Sequence, residues 1–197
     1  MRAIISSMKS IVVLVAAIVV IVGVVYFYTG NKSASMTETI SLTSAAFQNG
    51  ESIPSQYTCD GANISPALSW SGVPEGTESL TLIMDDPDIP DAVKESRSIK
   101  EFDHWTLFNI SPTVNEIAEG RSAGTTGANG AGQSVYTGPC PPPQYEPSEH
   151  RYFFRLYALD DTLSLSAGAA KADVLTAMDG HVLGNGELIG KYKRIVQ

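Results

Sequence analysis

Between Lys9 and Lys32 lie 22 residues without a single charge, Ser10 to Asn31, and no other stretch restricts the chain so sharply. A helix over them, at about 1.5 Å per residue, is about 33 Å long, against a bilayer hydrocarbon core of roughly 30 Å. Ile11–Tyr28 is almost wholly Ile, Val, Leu, Ala, Gly and aromatic, with Tyr26, Phe27 and Tyr28 clustered at one end as interfacial aromatics are. Arg2 and Lys9 precede the run, so the positive-inside rule puts residues 1–9 in the cytoplasm and the rest of the protein outside. The chain is therefore expected to carry a single N-terminal transmembrane helix over 10–31, an anchor or uncleaved signal, then a polar linker over 32–36 and a folded body over 37–197. The alternative is a secreted body released by signal cleavage. Against it, the 18 apolar residues of Ile11–Tyr28 exceed a signal h-region of about 7–15, and the small-x-small site Ser33-Ala34-Ser35 lies beyond the apolar end. No cysteine lies nearby to take a lipid.

Charge excludes one class of partner. The chain has 13 basic and 21 acidic residues; Arg2, Lys9 and Lys32 stand before residue 36 and no acid does, so the remainder holds 10 against 21, a charge of −11. Such a body repels phosphate backbones at long range, so nucleic acid is not expected as a partner, and any anion it takes must be held by local contacts.

The body is punctuated for turns. All 11 prolines fall from Pro54 onward, with glycines spread among them. Between the turns, Leu80–Met84 and Trp105–Ile110 read as strands. Arg151–Leu159 is the strongest: Tyr152, Phe154, Leu156 and Ala158 line one face and the other is mostly apolar too, which predicts a central strand buried on both sides. Helical pattern comes only late, over Ala169–Met178, with Gly180 as a stop; Val182–Tyr192 is ambiguous because Gly184, Gly186 and Gly190 interrupt it. The expected fold is mainly β, an antiparallel sandwich with one or two short C-terminal helices. Gly120–Gly138 holds six glycines in 19 residues and reads as a long mobile loop. Its GANGAG run has no following Lys-Ser/Thr pair and no flanking βα pattern, which argues against a phosphate-binding loop.

Chemistry concentrates at strand ends. His104 enters the strand Trp105–Ile110 and His150 enters Arg151–Leu159, while Asp85-Asp86-Pro87-Asp88-Ile89-Pro90 closes the strand before them. Proline cannot continue a central strand, so Asp86 and Asp88 sit on a stiffened turn. If the three strands present these ends on one rim, two histidines, two aspartates and the Tyr152 hydroxyl converge. Such a cluster offers N–H and O–H donors to an oxyanion, with the aspartates holding the imidazole tautomers.

From Ser41 to Arg194 the chain resembles the phosphatidylethanolamine-binding protein family, in its bacterial and archaeal Raf kinase inhibitor-like branch. The matching stretches are YTCDGANISPALSW (57–70), DDPDIP (85–90), DHWTLFNI (103–110), GPCPPP (138–143), HRYFFRLYALD (150–160) and AMDGHVLGNGELIGKY (177–192), in family order. The resemblance implies a β-sandwich with C-terminal helices beside a small pocket for phosphate, acetate or a phospholipid headgroup. It assigns Asp86 and Asp88 to the family's D-P-D-x-P turn, His104 to its first pocket histidine, and His150 and Tyr152 to its H-R-Y signature. Gly138, Pro139 and Pro141 fall on the loop that forms the pocket wall. Phe102 stands where a tryptophan is usual in the eukaryotic branch. Asp91–Glu101 is unmatched and reads as a variable surface loop.

Other chemistries fit poorly. Zinc would accept His104, His150 and an aspartate, but no metal-ligand spacing is present, and no metal or cofactor is expected. There is no G-x-S-x-G elbow, and Cys140, between Pro139 and Pro141, has no basic neighbour to activate it. Cys59 and Cys140, 81 residues apart in turn-rich segments of a body read as extracytoplasmic, are taken as a disulfide; two buried free thiols are the alternative. The expected function is non-enzymatic: a membrane-tethered protein binding a small anionic group of a lipid headgroup, a metabolite or a partner protein. The resemblance extends to inhibition of a kinase or protease. The alternative is an enzyme using the same His/Asp/Tyr cluster for general acid–base chemistry.

Overall fold

The run Arg151–Leu159 does lie at the centre of a sheet, as part of β8 (Glu149–Leu159), between β4 (Ser79–Asp86) and β9 (Val182–Lys193). The structure, a computed structural model, describes residues 38–194. The transmembrane reading of 10–31, the cytoplasmic segment 1–9 and the linker 32–36 lie outside the described residues. Among those described, no helix is long and apolar enough to cross a membrane.

The large sheet has six strands in the order β1-β9-β8-β4-β5-β7, with β1 Glu38–Thr39, β5 Phe102–Ile110 and β7 Thr125–Thr126. Its pairings are antiparallel except β1 on β9, which is parallel. A second sheet of three antiparallel strands, β2 (Ser41–Ser44), β3 (Leu68–Ser71) and β6 (Glu116–Ile117), packs on it. Leu42, Leu68, Trp70 and Ile117 from the small sheet meet Leu80, Leu82, Met84, Leu107, Phe154 and Leu156 from the large one in a single core. Every residue of β4 is buried, which is why its sequence is a run rather than an alternation.

Several expectations change. The outer face of β8 is only half-buried, since the helix α2 (Lys171–Met178) covers it at one end, where Tyr157 and Leu159 join Phe108, Val174 and Met178. Further along, Phe153 is roofed by its own neighbours: the Arg155 guanidinium lies 4.7 Å and that of Arg151 5.5 Å from its ring centroid. One helix, α2, is C-terminal, within the one or two expected; a further helix, α1 (Asp91–Arg97), falls where a surface loop was expected. The ambiguous segment is β9, the longest strand. Its glycines mark close approach rather than flexibility: a Cβ at Gly186 would lie 2.3 Å from the Ile40 carbonyl oxygen, and one at Gly190 2.5 Å from Ile53 Cγ1.

The glycine-rich loop is tied in place rather than loose. Thr125–Thr126 pairs with β5, and the buried Asn129 amide donates to the Val135 carbonyl and the Thr137 hydroxyl while accepting from the backbone N–H of Ala131 and Gln133.

Candidate functional site

Antiparallel pairing on both sides of β4 brings three sequence-distant segments to one end of the large sheet. The end of β4 (Asp86) meets the beginnings of β5 (Phe102–His104) and β8 (His150). Asp86 works in two directions there. Its Oδ1 accepts the Asp88 backbone N–H at 2.8 Å, closing the turn, and its Oδ2 faces His150 Nδ1 at 2.7 Å. His104 Nε2 lies 3.9 Å from the same Oδ2. The His104 ring is fixed from behind by the Thr137 carbonyl, 2.6 Å from Nδ1. Tyr152 packs beneath both imidazoles, edge-on to His104 with centroids 5.2 Å apart and stacked near His150 at 6.4 Å.

Asp86, His104 and His150 floor a cavity of about 290 Å³, near the lower end of the roughly 300–1,000 Å³ typical of small-molecule sites. Its polar part is Asp86, His104, His150 and the Thr137–Gly138 backbone; its wall is Ile89, Pro90, Val93, Phe102, Pro141 and Pro142, with Arg97 also on the lining. The Phe102 ring stands edge-on to His104 at 4.9 Å, and Gly130 gives it room, since a Cβ there would lie 2.8 Å from Phe102 Cε2.

Partner geometry dictates the protons. A carboxylate and a carbonyl only accept, so each neutral imidazole carries its hydrogen on Nδ1 and turns an Nε2 lone pair to its other side. Burial holds His104 below the ordinary histidine range, although the Thr137 carbonyl and the Asp86 and Asp103 carboxylates pull the other way. It is neutral at neutral pH. The Tyr152 phenol is pushed up by burial, reinforced by Asp86, so it keeps its proton. Two polar atoms, His150 Nε2 and the Tyr152 hydroxyl below it, are buried without a hydrogen-bond partner among the described residues. Buried polar atoms are seldom left so.

The expected residues do not all play their expected parts. Asp86, His104 and His150 converge. Tyr152 is fully buried below them and not on the cavity lining. Asp88 does not hold an imidazole: it takes the Arg151 guanidinium at 2.7 and 2.8 Å and the Arg151 N–H at 2.9 Å, and Arg151 holds its carboxyl below the usual range. The tautomer of His104 is set instead by Thr137, which its sequence neighbourhood gave no reason to select. Gly138 and Pro141 line the wall; Pro139 stands behind it, its carbonyl accepting the Cys59 N–H at 3.1 Å. Cys59 and Cys140 are bonded, with Cα atoms 5.4 Å apart. Asn63 went unnoticed in the sequence. In the left-handed region (φ 55°), it accepts the Gly138 N–H at 2.8 Å and pins the wall.

A Cβ at Gly138 would lie 2.3 Å from the Tyr57 carbonyl oxygen and 2.6 Å from Asn63 Oδ1. Backbone cannot yield as a side chain does, so Gly138→Ala is expected to cost about 1–3 kcal/mol. Urea unfolding checks this; an unchanged midpoint would mean that the wall has slack.

Two stacked β-sheets that open at one end onto a cavity with a polar floor and an apolar wall have the architecture of a β-sandwich binding protein. The chain belongs to the phosphatidylethanolamine-binding protein family, whose model matches residues 43–193. It is 49% identical over 162 residues to a UPF0098 protein of Methanothermobacter thermautotrophicus, covering 79% of this chain and 99% of that one. Among solved structures it is similar to a phosphatidylethanolamine-binding protein homologue of Chlamydia trachomatis (44% identity, TM-score 0.73, 80% of this chain and 99% of the other). It is also similar to E. coli YbcL, described as a member of the mammalian PEBP family (27% identity, TM-score 0.69, 79% and 99%).

Proposed function

We propose that this protein is a non-enzymatic binder that captures a small oxyanionic group at the cavity floor through His104, His150 and Tyr152, with Asp86 orienting His150. The supporting observation is the pair of partnerless buried atoms, His150 Nε2 and Tyr152 OH, beneath a cavity lined by the same strand ends. Tyr152 has a hydrogen to donate, and a protonated imidazole has one on Nε2 as well. A phosphate, a phospholipid headgroup and an acidic side chain of a partner protein all carry the oxygen this floor would hold. With the N-terminal segment read as an anchor, the body works outside the cytoplasm.

Capture involves a proton. Neutral imidazoles offer lone pairs, and the Asp86 carboxylate beside them repels an anion. Binding therefore requires either an imidazolium or an oxyacid that keeps a hydroxyl to donate. The groups around the two rings are Asp86, Asp88, Asp103, Tyr152 and each other, with Tyr192 opposite His150 on β9. Protonation is favoured as pH falls, so titration calorimetry with inorganic phosphate is expected to show affinity falling as pH rises from 6 to 8, by up to about tenfold per unit for one coupled proton. His150→Ala is expected to weaken binding at pH 6 by about tenfold or more, the loss of one charge-assisted contact. Affinity that climbs with pH, or that ignores His150→Ala, refutes the reading.

The Asp86–His150 pair also has the geometry of a carboxylate-oriented general base, which favours acid–base catalysis as the second reading. That reading predicts turnover in a screen of small esters and phosphoesters, abolished by His150→Ala.

A further inference from the structure

The helix α1 occupies the segment that reads as a surface loop, and it contributes to the cavity. Val93 and Arg97 are four residues apart, hence on one helical face, and both are on the lining. Lys94, the other cation of the last turn, pairs with Asp91 at 3.4 Å and is not on the lining. Arg97 has no ion-pair partner among the described residues and is exposed. A basic residue in a last turn complements the helix dipole, but that role needs no cavity, and Lys94 already fills it.

Charge balance makes Arg97 conspicuous. Asp86 is the one carboxylate on the lining, the two histidines are paired through Nδ1 to acceptors, and Arg97 is the one permanent cation there among the described residues. An arriving anion meets a floor that already holds the Asp86 carboxylate, so one coupled proton there leaves charge that Arg97 is placed to meet. The wall between is apolar: Ile89, Val93, Phe102, Pro141 and Pro142. An inorganic oxyanion has no atoms to lay against such a wall, whereas an ester of an oxyacid does, and it gains free energy in proportion to the apolar area it covers.

We propose that Arg97 is the specificity-determining residue of this cavity, meeting the charge of an anionic organic ester whose apolar part lies along the α1 and Pro141–Pro142 wall. The proposal rests on the cavity being an anion site, and the experiment separates the two. Inorganic phosphate and phenyl phosphate are titrated calorimetrically at pH 6 and low salt into the full-length protein, Arg97→Gln, Val93→Ser and, as a control for lost surface charge, Lys100→Gln. Phenyl phosphate is expected to bind about tenfold more tightly than phosphate, from the ring area removed from water. Arg97→Gln is expected to weaken phenyl phosphate by about tenfold, as loss of a contact to a charged group does, and Lys100→Gln to leave it within about twofold. Val93→Ser is expected to narrow the gap between the two ligands. If both ligands bind but phenyl phosphate has no advantage, or Arg97→Gln behaves like Lys100→Gln, this proposal fails and the anion site stands. Wild-type protein that binds neither overturns the anion site and, with it, the role of Arg97.

Discussion

Lys171→Met is expected to destabilise the protein by about 3–5 kcal/mol, as removal of one partner from a buried ion pair does. The Lys171 ammonium sits 2.7 Å from Asp85, 2.6 Å from Glu101 and 2.5 Å from Asp103, with its side chain 10% exposed and that of Asp85 only 4%. The three carboxylates lie within 4.8 Å of one another, so methionine leaves them facing each other around an apolar thioether. Burial lowers the Lys171 pKa, but Asp85 and the hydrogen bonds to Asp103, Asp85 and Glu101 more than restore it, so the ammonium stays charged. Even with the Arg155 guanidinium 3.2 Å from Asp85, two cations face three acids here. Asp85 is accordingly pushed up to about 6 by burial, with Glu101 and Asp103 adding to the rise and Lys171 opposing it.

The sign of the pH dependence follows. A carboxyl whose folded pKa lies above its unfolded value binds its proton more tightly in the native state. For Asp85 that favours folding at low pH, and the benefit is lost as pH rises from about 4 through 6. Without Lys171, which opposes the rise, Asp85 holds its proton more tightly still. The deficit of Lys171→Met is therefore expected to be smaller at pH 5 than at pH 8. Urea unfolding at both pH values measures it; an equal deficit, or one below about 1 kcal/mol, would show the cluster to be solvated, since exposed pairs have that worth.

Opening the Cys59–Cys140 bridge has the second large expected effect. It closes a loop of 81 residues, for which the chain-entropy model gives about 4–5 kcal/mol. For a domain of this size that is a fall in melting temperature of about 10–20 °C. The paired Cys59→Ser/Cys140→Ser variant, compared with the oxidised protein by calorimetry, tests it. Native contacts still hold the Cys59 turn in that variant: Asp60 accepts from Arg194 at 2.8 Å and from the Tyr192 hydroxyl at 2.8 Å. The loss should therefore come from the greater freedom of the unfolded chain. A shift below about 3 °C would mean that the unfolded chain keeps those ends close, and the entropic account would fail.

The parts of this fold that were legible in sequence are those where one principle acts alone. β4, β5 and β8 stand out because burial writes itself into them as runs or alternation. Their ends could be recognised as a site because Asp-Pro-Asp and two histidines are rare punctuation in a chain with three histidines. β9 was hidden because its glycines answer to the backbone of Ile40 and the side chain of Ile53, which are distant in sequence. The outer face of β8 misled because Phe153 is covered by arginines on its own strand rather than by another layer. At the site, sequence named the imidazoles but not their protons. Those depend on a backbone carbonyl, Thr137, and on which aspartate a neighbouring arginine claims, neither of which has a residue-type signature. The contribution of α1 was equally invisible, because a short charged helix and a charged loop have the same composition.

The parallel pairing of β1 with β9 has a practical corollary. Glu38 sits beside Gly184, whereas His150 pairs with Tyr192. Eight residues of strand, about 26 Å at the usual rise, separate the part of β9 that β1 pairs with from the part that faces His150. A reporter dye placed at Thr39, exposed on β1, therefore grips the large sheet by its heel, away from the mouth used for titration.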